Sequence, residues 1–329
     1  MVRIGINGFG RIGRIVFRSS LEIPGVEVVA VNDLADVKQL AHLLKYDSIH
    51  GKLNLEVKAE DGSLIVDGRE IKVFSMKSPS EIPWDRVDVD YVVESSGVFR
   101  DRESASLHLE RGVEKVIVSA PMKGADITML PFINEDKYDR KKHKIISMAS
   151  CTTNALAPLI KVIHENFKIV KGSMTTIHAY TNDQRLLDAI HKDLRRARAA
   201  AFNIVPTTTG AAKATFEVYP ELKGKLHAMS IRVPVPDGSL VDLNVLVGKE
   251  VTIEEVNNAF KKASETYLSE TLYYLKDPVV SSDIIGMKYL SIFDSLLTEV
   301  VNGNFVKVIS WYDNEYGYAY HLAKLLTRL

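Results

Sequence analysis

The sequence predicts an α/β fold: a doubly wound parallel sheet in the first half of the chain, followed by an α+β domain with a largely antiparallel sheet. Three observations predict it. Short β-branched runs alternate with helical spacing through residues 1–150, a G-x-G-x-x-G run stands between the first strand and the first helix, and beyond Cys151 the strand-like runs lengthen. A chain of 329 residues also exceeds what one hydrophobic core usually holds, so domains at 1–150 and 151–313 are expected.

Val2–Asn7 reads as a strand, Arg11–Ser20 as a helix and Val26–Asn32 as a second strand. Asp36–Leu44 has helical spacing, with Leu40, Leu43 and Leu44 on one face. Further strands are expected at Ile71–Phe74, Tyr91–Glu94, Lys115–Ser119 and Ile145–Ser147, with a helix near Glu103–Arg111. From Cys151 a helix runs to about Asn166, its stripe made by Leu156, Leu159, Ile160 and Ile163. Strand-like stretches follow at Ile169–His178, Lys225–Val233, Ser239–Val247 and Phe305–Trp311, with helical patterns at Gly210–Val218 and Thr252–Thr266. Residues Tyr180–Asn203 form a connection too long to be a plain loop, which points to a functional segment.

Composition narrows the function classes. Lys plus Arg and Asp plus Glu both number 42, so the net charge of zero steers neither nucleic acid nor membrane surfaces toward the chain. The single cysteine excludes an internal disulfide framework and a cysteine-rich metal site, and no metal is expected. Met1-Val2-Arg3-Ile4 opens directly as a strand without a leader pattern, so a cytoplasmic location is expected.

Gly8-Phe9-Gly10-Arg11-Ile12-Gly13 follows the first strand and opens the first helix. Alone the pattern is weak, since a βα turn can need glycine for steric reasons only. Here Asp33 also stands at the end of the next strand, 20 positions past Gly13, where a carboxylate can take both hydroxyls of a ribose and repel a 2′-phosphate. The reading is a Rossmann-type site for NAD rather than NADP.

Cys151 lies in Ser150-Cys151-Thr152-Thr153-Asn154 at a helix start, where free N–H groups lower a thiol pKa and can hold an oxyanion. Free cysteines are often inert packing residues, but the polar neighbours argue against that here. A nucleophilic thiol needs a base. Nine histidines are available, and His178 is favoured because it ends a strand just before the long loop. Attack of a thiolate on an aldehyde makes a tetrahedral thiohemiacetal, and hydride loss to a nicotinamide then leaves a thioester. The two motifs together therefore read as an aldehyde-oxidising enzyme. Thr207-Thr208-Thr209-Gly210 ahead of a helix offers an anion cradle, and Arg232 stands alone in a strand, where it must find a partner. The basic run His191–Arg196 could equally be a solvated face or a subunit contact.

These residues resemble the phosphorylating glyceraldehyde-3-phosphate dehydrogenases. The resemblance runs from Ile4–Arg14 to Trp311–Gly317 and takes in Ala149–Asn154, His178–Gln184, Asp193–Ala200 and Pro206–Lys213, in order and over nearly the whole chain. It implies oxidation of D-glyceraldehyde 3-phosphate with NAD and inorganic phosphate to 1,3-bisphosphoglycerate, in a homotetramer. It implies Cys151 as nucleophile and His178 as its base. Ser150, Thr152, Thr181, Arg196, Thr209, Gly210 and Arg232 would hold the two phosphates. Gly8, Gly10, Arg11, Ile12, Asp33, Lys77, Ser119 and Asn314 would hold the cofactor, with Asn314 at the nicotinamide amide. The loop 180–203 resembles the S-loop that lines a neighbour's cofactor site, and the helix 314–329 would complete the cofactor domain.

Three departures stand out: Met148 where the family usually has Asn, Ile190 where NAD-specific S-loops often have Pro, and the bulky stretch Met129–Asn134. A related erythrose-4-phosphate dehydrogenase, which releases its acyl group to water, is the alternative reading. It is disfavoured because Thr181 and Thr209-Gly210, typically lost there, are present. A non-catalytic NAD-binding scaffold would predict loss of the Cys–His pair or of the anion groups.

Overall fold

The computed structural model describes every residue, Met1–Leu329, and the chain divides into two compact units. The first holds Met1–Met129, Glu135–Ala149 and Ala319–Leu329. The second holds Leu130–Asn134 and Ser150–Tyr318.

The first unit runs β1 (Val2–Asn7), α1 (Arg11–Ser20), β2 (Val26–Asn32), α2 (Val37–Lys45), a two-stranded ribbon of β3 (Tyr46–Asp47) and β4 (Gly51–Lys52), β5 (Val57–Glu60), β6 (Ser63–Val66), β7 (Arg69–Phe74), β8 (Tyr91–Glu94), α3 (Arg102–Ser106), β9 (Lys115–Val118), β10 (Ile127–Thr128) and β11 (Ile145–Ser147). Its nine-stranded sheet has the order β10-β11-β9-β8-β1-β2-β7-β6-β5. Strands from β10 to β7 pair in parallel, as βαβ crossovers require, while β5, β6 and β7 form an antiparallel edge. The sequence reading found β7 as Ile71–Phe74 but missed β5 and β6, although two Asp-Gly pairs mark the hairpins. Asp61 and Gly62 have φ of 45° and 76°, and Asp67 and Gly68 have φ of 49° and 77°, the left-handed pairs a two-residue hairpin turn needs. The expected helix at Glu103–Arg111 is α3 followed by a 3₁₀ turn at Leu107–Arg111.

The strand tips that carry the glycine turn are tied by a buried polar network. Trp84 Nε1 donates to His108 Nδ1 (3.0 Å), so that nitrogen is bare and Nε2 carries the proton toward Glu94 Oε2 (3.0 Å). The Glu94 carboxylate also accepts from Asn7 Nδ2 (2.5 Å) and from the N–H and hydroxyl of Ser96 (2.9 and 2.5 Å). Asn32 Nδ2 donates to Asn7 Oδ1 (2.8 Å), which links the ends of β1, β2 and β8. A buried carboxylate with four donors is compensated rather than strained.

Near α1, Arg11 grips Asp47 with two nitrogens at 3.0 and 3.2 Å, and the N–H groups of Ile49 and His50 reach the same carboxylate at 2.9 and 3.0 Å. Burial alone would raise the Asp47 pKa, yet these N–H groups and Arg11 prevail and hold it at about 2. A carboxyl depressed below its unfolded value stabilises the fold above that value, and the contribution fades as pH falls toward the folded pKa. Asp47→Asn is therefore expected to cost about 2 kcal/mol at neutral pH, and about half that near pH 3. Thermal melts of both proteins across that range check it, and a deficit that stays constant with pH would contradict the assignment.

The second unit runs α4 (Cys151–Phe167), β12 (Ile169–Ala179), β13 (Val205–Thr207), α5 (Ala211–Val218), β14 (Leu226–Val233), β15 (Ser239–Val247), α6 (Ile253–Glu265), β16 (Leu272–Leu275), β17 (Ser291–Val301) and β18 (Phe305–Tyr312); α7 (Tyr316–Leu325) begins in this unit and from Ala319 belongs to the first. The seven-stranded sheet has the order β13-β14-β12-β15-β18-β17-β16 and is antiparallel except for β12–β14 and β16–β17. The α4 helix packs on α5, α6 and the sheet strands β15, β17 and β18. Sequence periodicity missed β16 and β17. In β17 the register shifts between Asp294 and Glu299, which breaks the two-residue alternation, and the turn into β18 uses Asn302 and Gly303 at φ 48° and 75°.

Candidate active site

Cys151 is the first residue of α4 because Ser150 caps the helix: its backbone is extended (φ −105°, ψ 162°) and its Oγ accepts the N–H of Thr153 at 3.1 Å. Ala149 takes the left-handed conformation (φ 54°) that turns the chain into this start. His178 comes from the end of β12. In the parallel pairing with β14, His178 stands opposite Arg232, so the register alone sets a guanidinium beside the imidazole. Cys151 Sγ lies 3.5 Å from His178 Nε2.

The tautomer follows from the other ring nitrogen. His178 Nδ1 is 2.7 Å from the carbonyl of Ala179, and Arg232 Nη1 donates to the same oxygen at 3.0 Å. Nδ1 thus carries the proton and donates to that carbonyl, which leaves Nε2 bare toward the thiol. Arg232 Nη1 also lies 3.1 Å from Nδ1 and reaches Thr181 Oγ1 at 3.4 Å.

Beneath the pair, the Tyr312 hydroxyl bonds Thr152 Oγ1 (2.9 Å) and Thr176 Oγ1 (2.8 Å), tying α4 to β12, and its ring meets the His178 ring edge-on at 5.8 Å. The sequence reading missed Tyr312 and Thr176. Thr176 could have been found, since it shares a strand face with His178 two residues on; Tyr312 comes from a strand distant in sequence and had no local signal.

Burial pushes the Cys151 thiol up to about 11, against the pull of Arg232 and Thr152, and it pushes His178 down to about 3, with Arg232 acting in the same direction. The expectation of a thiol lowered by the helix N-terminus therefore fails for the thiol by itself, because enclosure outweighs the helix dipole. Each shift favours the uncharged form of its own group. Passing the proton from Sγ to Nε2 creates opposite charges in contact, with Arg232 beside the nascent thiolate. Cys151 is only partly buried, so a small electrophile can reach it.

The expected phosphate-binding residues fall into two groups. Thr181 and Arg232 stand with the Cys–His pair. Arg196 lies with the β13–α5 turn: its Nε donates to Thr207 Oγ1 (2.9 Å) and its Nη2 to the Thr208 carbonyl (3.0 Å), while Asp183 pairs with Nη1. It is near enough to depress both His178 and Arg232. Gly210 begins α5 with no side chain capping the helix and open space where a Cβ would stand, and Thr209 Oγ1 accepts the N–H of Ala211 at 3.2 Å. Ser150 and Thr152 use their hydroxyls on Thr153 and Tyr312. Ile190 is 94% exposed. Met148 is fully buried, with its N–H donating to the Val118 carbonyl at 3.1 Å.

In the first unit, the glycine turn fits a dinucleotide. A Cβ on Gly8 would stand 2.4 Å from the Ser96 backbone, and one on Gly13 2.2 Å from the Gly8 carbonyl, so both positions require glycine. Gly10 faces open space and caps α1 with no side chain, so no side chain at that position stands in the way of an anion at the helix start. Asp33 accepts the N–H groups of Phe9 (2.7 Å) and Ala35 (3.0 Å), one on each oxygen, and each oxygen keeps a lone pair for a ribose. Lys77 is exposed beyond β7, and Ser119 follows β9 with its N–H on the Glu94 carbonyl at 2.9 Å. Asn314, in the second unit, accepts the Ser239 hydroxyl on Oδ1 at 2.6 Å.

Comparison with known proteins agrees with this geometry. Residues 2–102 match the profile of the glyceraldehyde 3-phosphate dehydrogenase NAD binding domain, and residues 150–314 that of the C-terminal domain. The chain is 59% identical over 331 residues to glyceraldehyde-3-phosphate dehydrogenase of Thermotoga maritima, covering 100% of this chain and 99% of the relative. It is 57% identical over 324 residues to the protein of that name from Geobacillus stearothermophilus, covering 98% and 97%. It is 58% identical over 325 residues to glyceraldehyde-3-phosphate dehydrogenase 2 of Streptomyces avermitilis, also covering 98% and 97%. With both domains matched in order and nearly full-length relatives, the chain belongs to the glyceraldehyde 3-phosphate dehydrogenase family.

Proposed function

We propose that this protein oxidises D-glyceraldehyde 3-phosphate to 1,3-bisphosphoglycerate with NAD and inorganic phosphate. The observation that carries the reading is the 3.5 Å contact between Cys151 Sγ and a His178 Nε2 left bare by the Nδ1–Ala179 hydrogen bond. His178 would take the thiol proton as Sγ attacks the aldehyde carbon, and the start of α4, whose positive dipole end lies at Cys151, would stabilise the oxygen that becomes negative. The glycine turn, Asp33 and Asn314 would hold NAD, which supplies the hydride acceptor when bound. The acyl group then rests on Sγ as a thioester, open to attack by phosphate. Arg232 with Thr181, and Arg196 with Thr209 and Gly210, would hold the substrate phosphate and the attacking phosphate.

Apolar exposure supports the homotetramer. Within residues 186–204, Leu186, Leu187, Ile190, Leu194, Phe202 and Ile204 are 69–94% exposed, an unusual density for one loop and a natural contact for a second copy. No helix is long and apolar enough to cross a membrane, and the reading places the enzyme in the cytoplasm, where its cofactor and a reduced thiol would be found.

The test is NADH formation from glyceraldehyde 3-phosphate and NAD with and without inorganic phosphate. Strong phosphate dependence is expected. Turnover indifferent to phosphate would mean that water takes the acyl group, as in the erythrose-4-phosphate relative.

A further inference from the structure

We propose that Ser239 is a positioning residue: one buried hydroxyl fixes the orientation of the Asn314 amide and couples it to Ala179, the residue whose carbonyl orients His178. The inference rests on the reading that Asn314 meets the nicotinamide amide.

Ser239 opens β15 and is 1% exposed, and Asn314 is 5% exposed. The Ser239 Oγ accepts the N–H of Ala179 at 3.0 Å and stands 2.6 Å from Asn314 Oδ1. A backbone N–H can only donate, so one lone pair of the hydroxyl is taken, and its proton goes to the one acceptor within reach, Asn314 Oδ1. If the amide were reversed, the hydroxyl would accept twice and its own proton would have no acceptor in a buried place, which costs free energy. Ser239 thus sets the polarity of Asn314. Oδ1 is held inward, and Nδ2, a donor, is turned to the other side.

A donor at that position selects a carbonyl oxygen. The carboxamide of a nicotinamide offers a C=O and an NH₂, and only the first can accept from Nδ2. An Asn free to flip would present an acceptor part of the time and would favour the opposite carboxamide rotamer. Ala179 joins the same device through its two flanking peptides: its carbonyl takes both His178 Nδ1–H and Arg232 Nη1, while its N–H, in the preceding peptide, rests on Ser239. The base that receives the thiol proton and the amide that grips the cofactor therefore share one hydroxyl.

The experiment compares NAD with its thionicotinamide analogue, in which a weakly accepting C=S replaces C=O. Initial rates with glyceraldehyde 3-phosphate and phosphate are measured for wild type, Ser239→Thr, Ser239→Val, Ser239→Ala and Asn314→Ala. Thr and Val share a shape and differ by the hydroxyl, so steric effects cancel between them. The wild-type preference for NAD, read both as the ratio of the two cofactors' dissociation constants from fluorescence titration without substrate and as the ratio of kcat/KM, is expected to shrink about five- to tenfold in the Val and Ala variants and to survive within about twofold in Thr. Equal losses for both cofactors would show a merely structural residue and overturn the proposal, as would an unchanged preference in Val and Ala when Asn314→Ala abolishes it. A preference indifferent to Asn314→Ala would instead remove the reading of Asn314 at the nicotinamide. Should Val not fold, Ala against wild type decides.

Discussion

Cys151→Ser is expected to reduce aldehyde oxidation by about four orders of magnitude or more, with NAD binding and the melting temperature little changed. The size follows from the chemistry. Sγ is the atom that must bond to the aldehyde carbon, and no second thiol exists in the chain to replace it. An alcohol is a far weaker nucleophile than a thiol at neutral pH, and an oxygen ester would not retain the reactivity of a thioester toward phosphate. The structural cost is small because Ser150, not Cys151, caps α4, so the helix start survives the change. Stopped-flow measurement of NADH absorbance, with and without phosphate, checks both halves of the reaction. Activity within about tenfold of wild type would sink the covalent route.

His178→Asn is expected to lower turnover by about two to four orders of magnitude, the range for a positioned acid–base group. A second signature should accompany the loss. In the wild type the thiol can pass its proton across 3.5 Å to Nε2 and meet the resulting charge with a partner in contact. Without His178 it must ionise alone in a site where burial holds it near 11, so alkylation by iodoacetamide at neutral pH should slow and its pH profile should move to the alkaline side. If alkylation kept the wild-type rate and profile, another group would be the base. Arg232 cannot fill that role, since a guanidinium has no free lone pair to accept a proton.

Much of this was legible from residue order alone, and for identifiable reasons. The glycine turn, Asp33 and the helix opening at Cys151 are local: each follows from the steric freedom of glycine, the end of a strand or a capping side chain within a few residues. The parallel core of the first sheet was readable because alternating strands and helices leave few other topologies. The antiparallel strands at 57–66 were also written locally, in Asp61-Gly62 and Asp67-Gly68, and were overlooked. Irregular β17 was not readable, because a shifted register hides the alternation that periodicity detects.

The sequence by itself determined the fold class, and it singled out Cys151 as the candidate nucleophile through the polar helix start around it. Only the tertiary structure decided the rest. Of the nine histidines, it set the favoured His178 3.5 Å from Cys151 Sγ, with Arg232 opposite through the β12–β14 pairing, and it chose the tautomer, through the Ala179 carbonyl. It reversed the expected direction of the thiol pKa, because enclosure depends on what packs around Sγ and no run of residues encodes that. It brought Tyr312 and Ser239 to the site from strands far from His178 in sequence. Hydrogen bonds and desolvation act between atoms a few ångströms apart in space, and sequence separation carries no information about that distance until the sheet register is set.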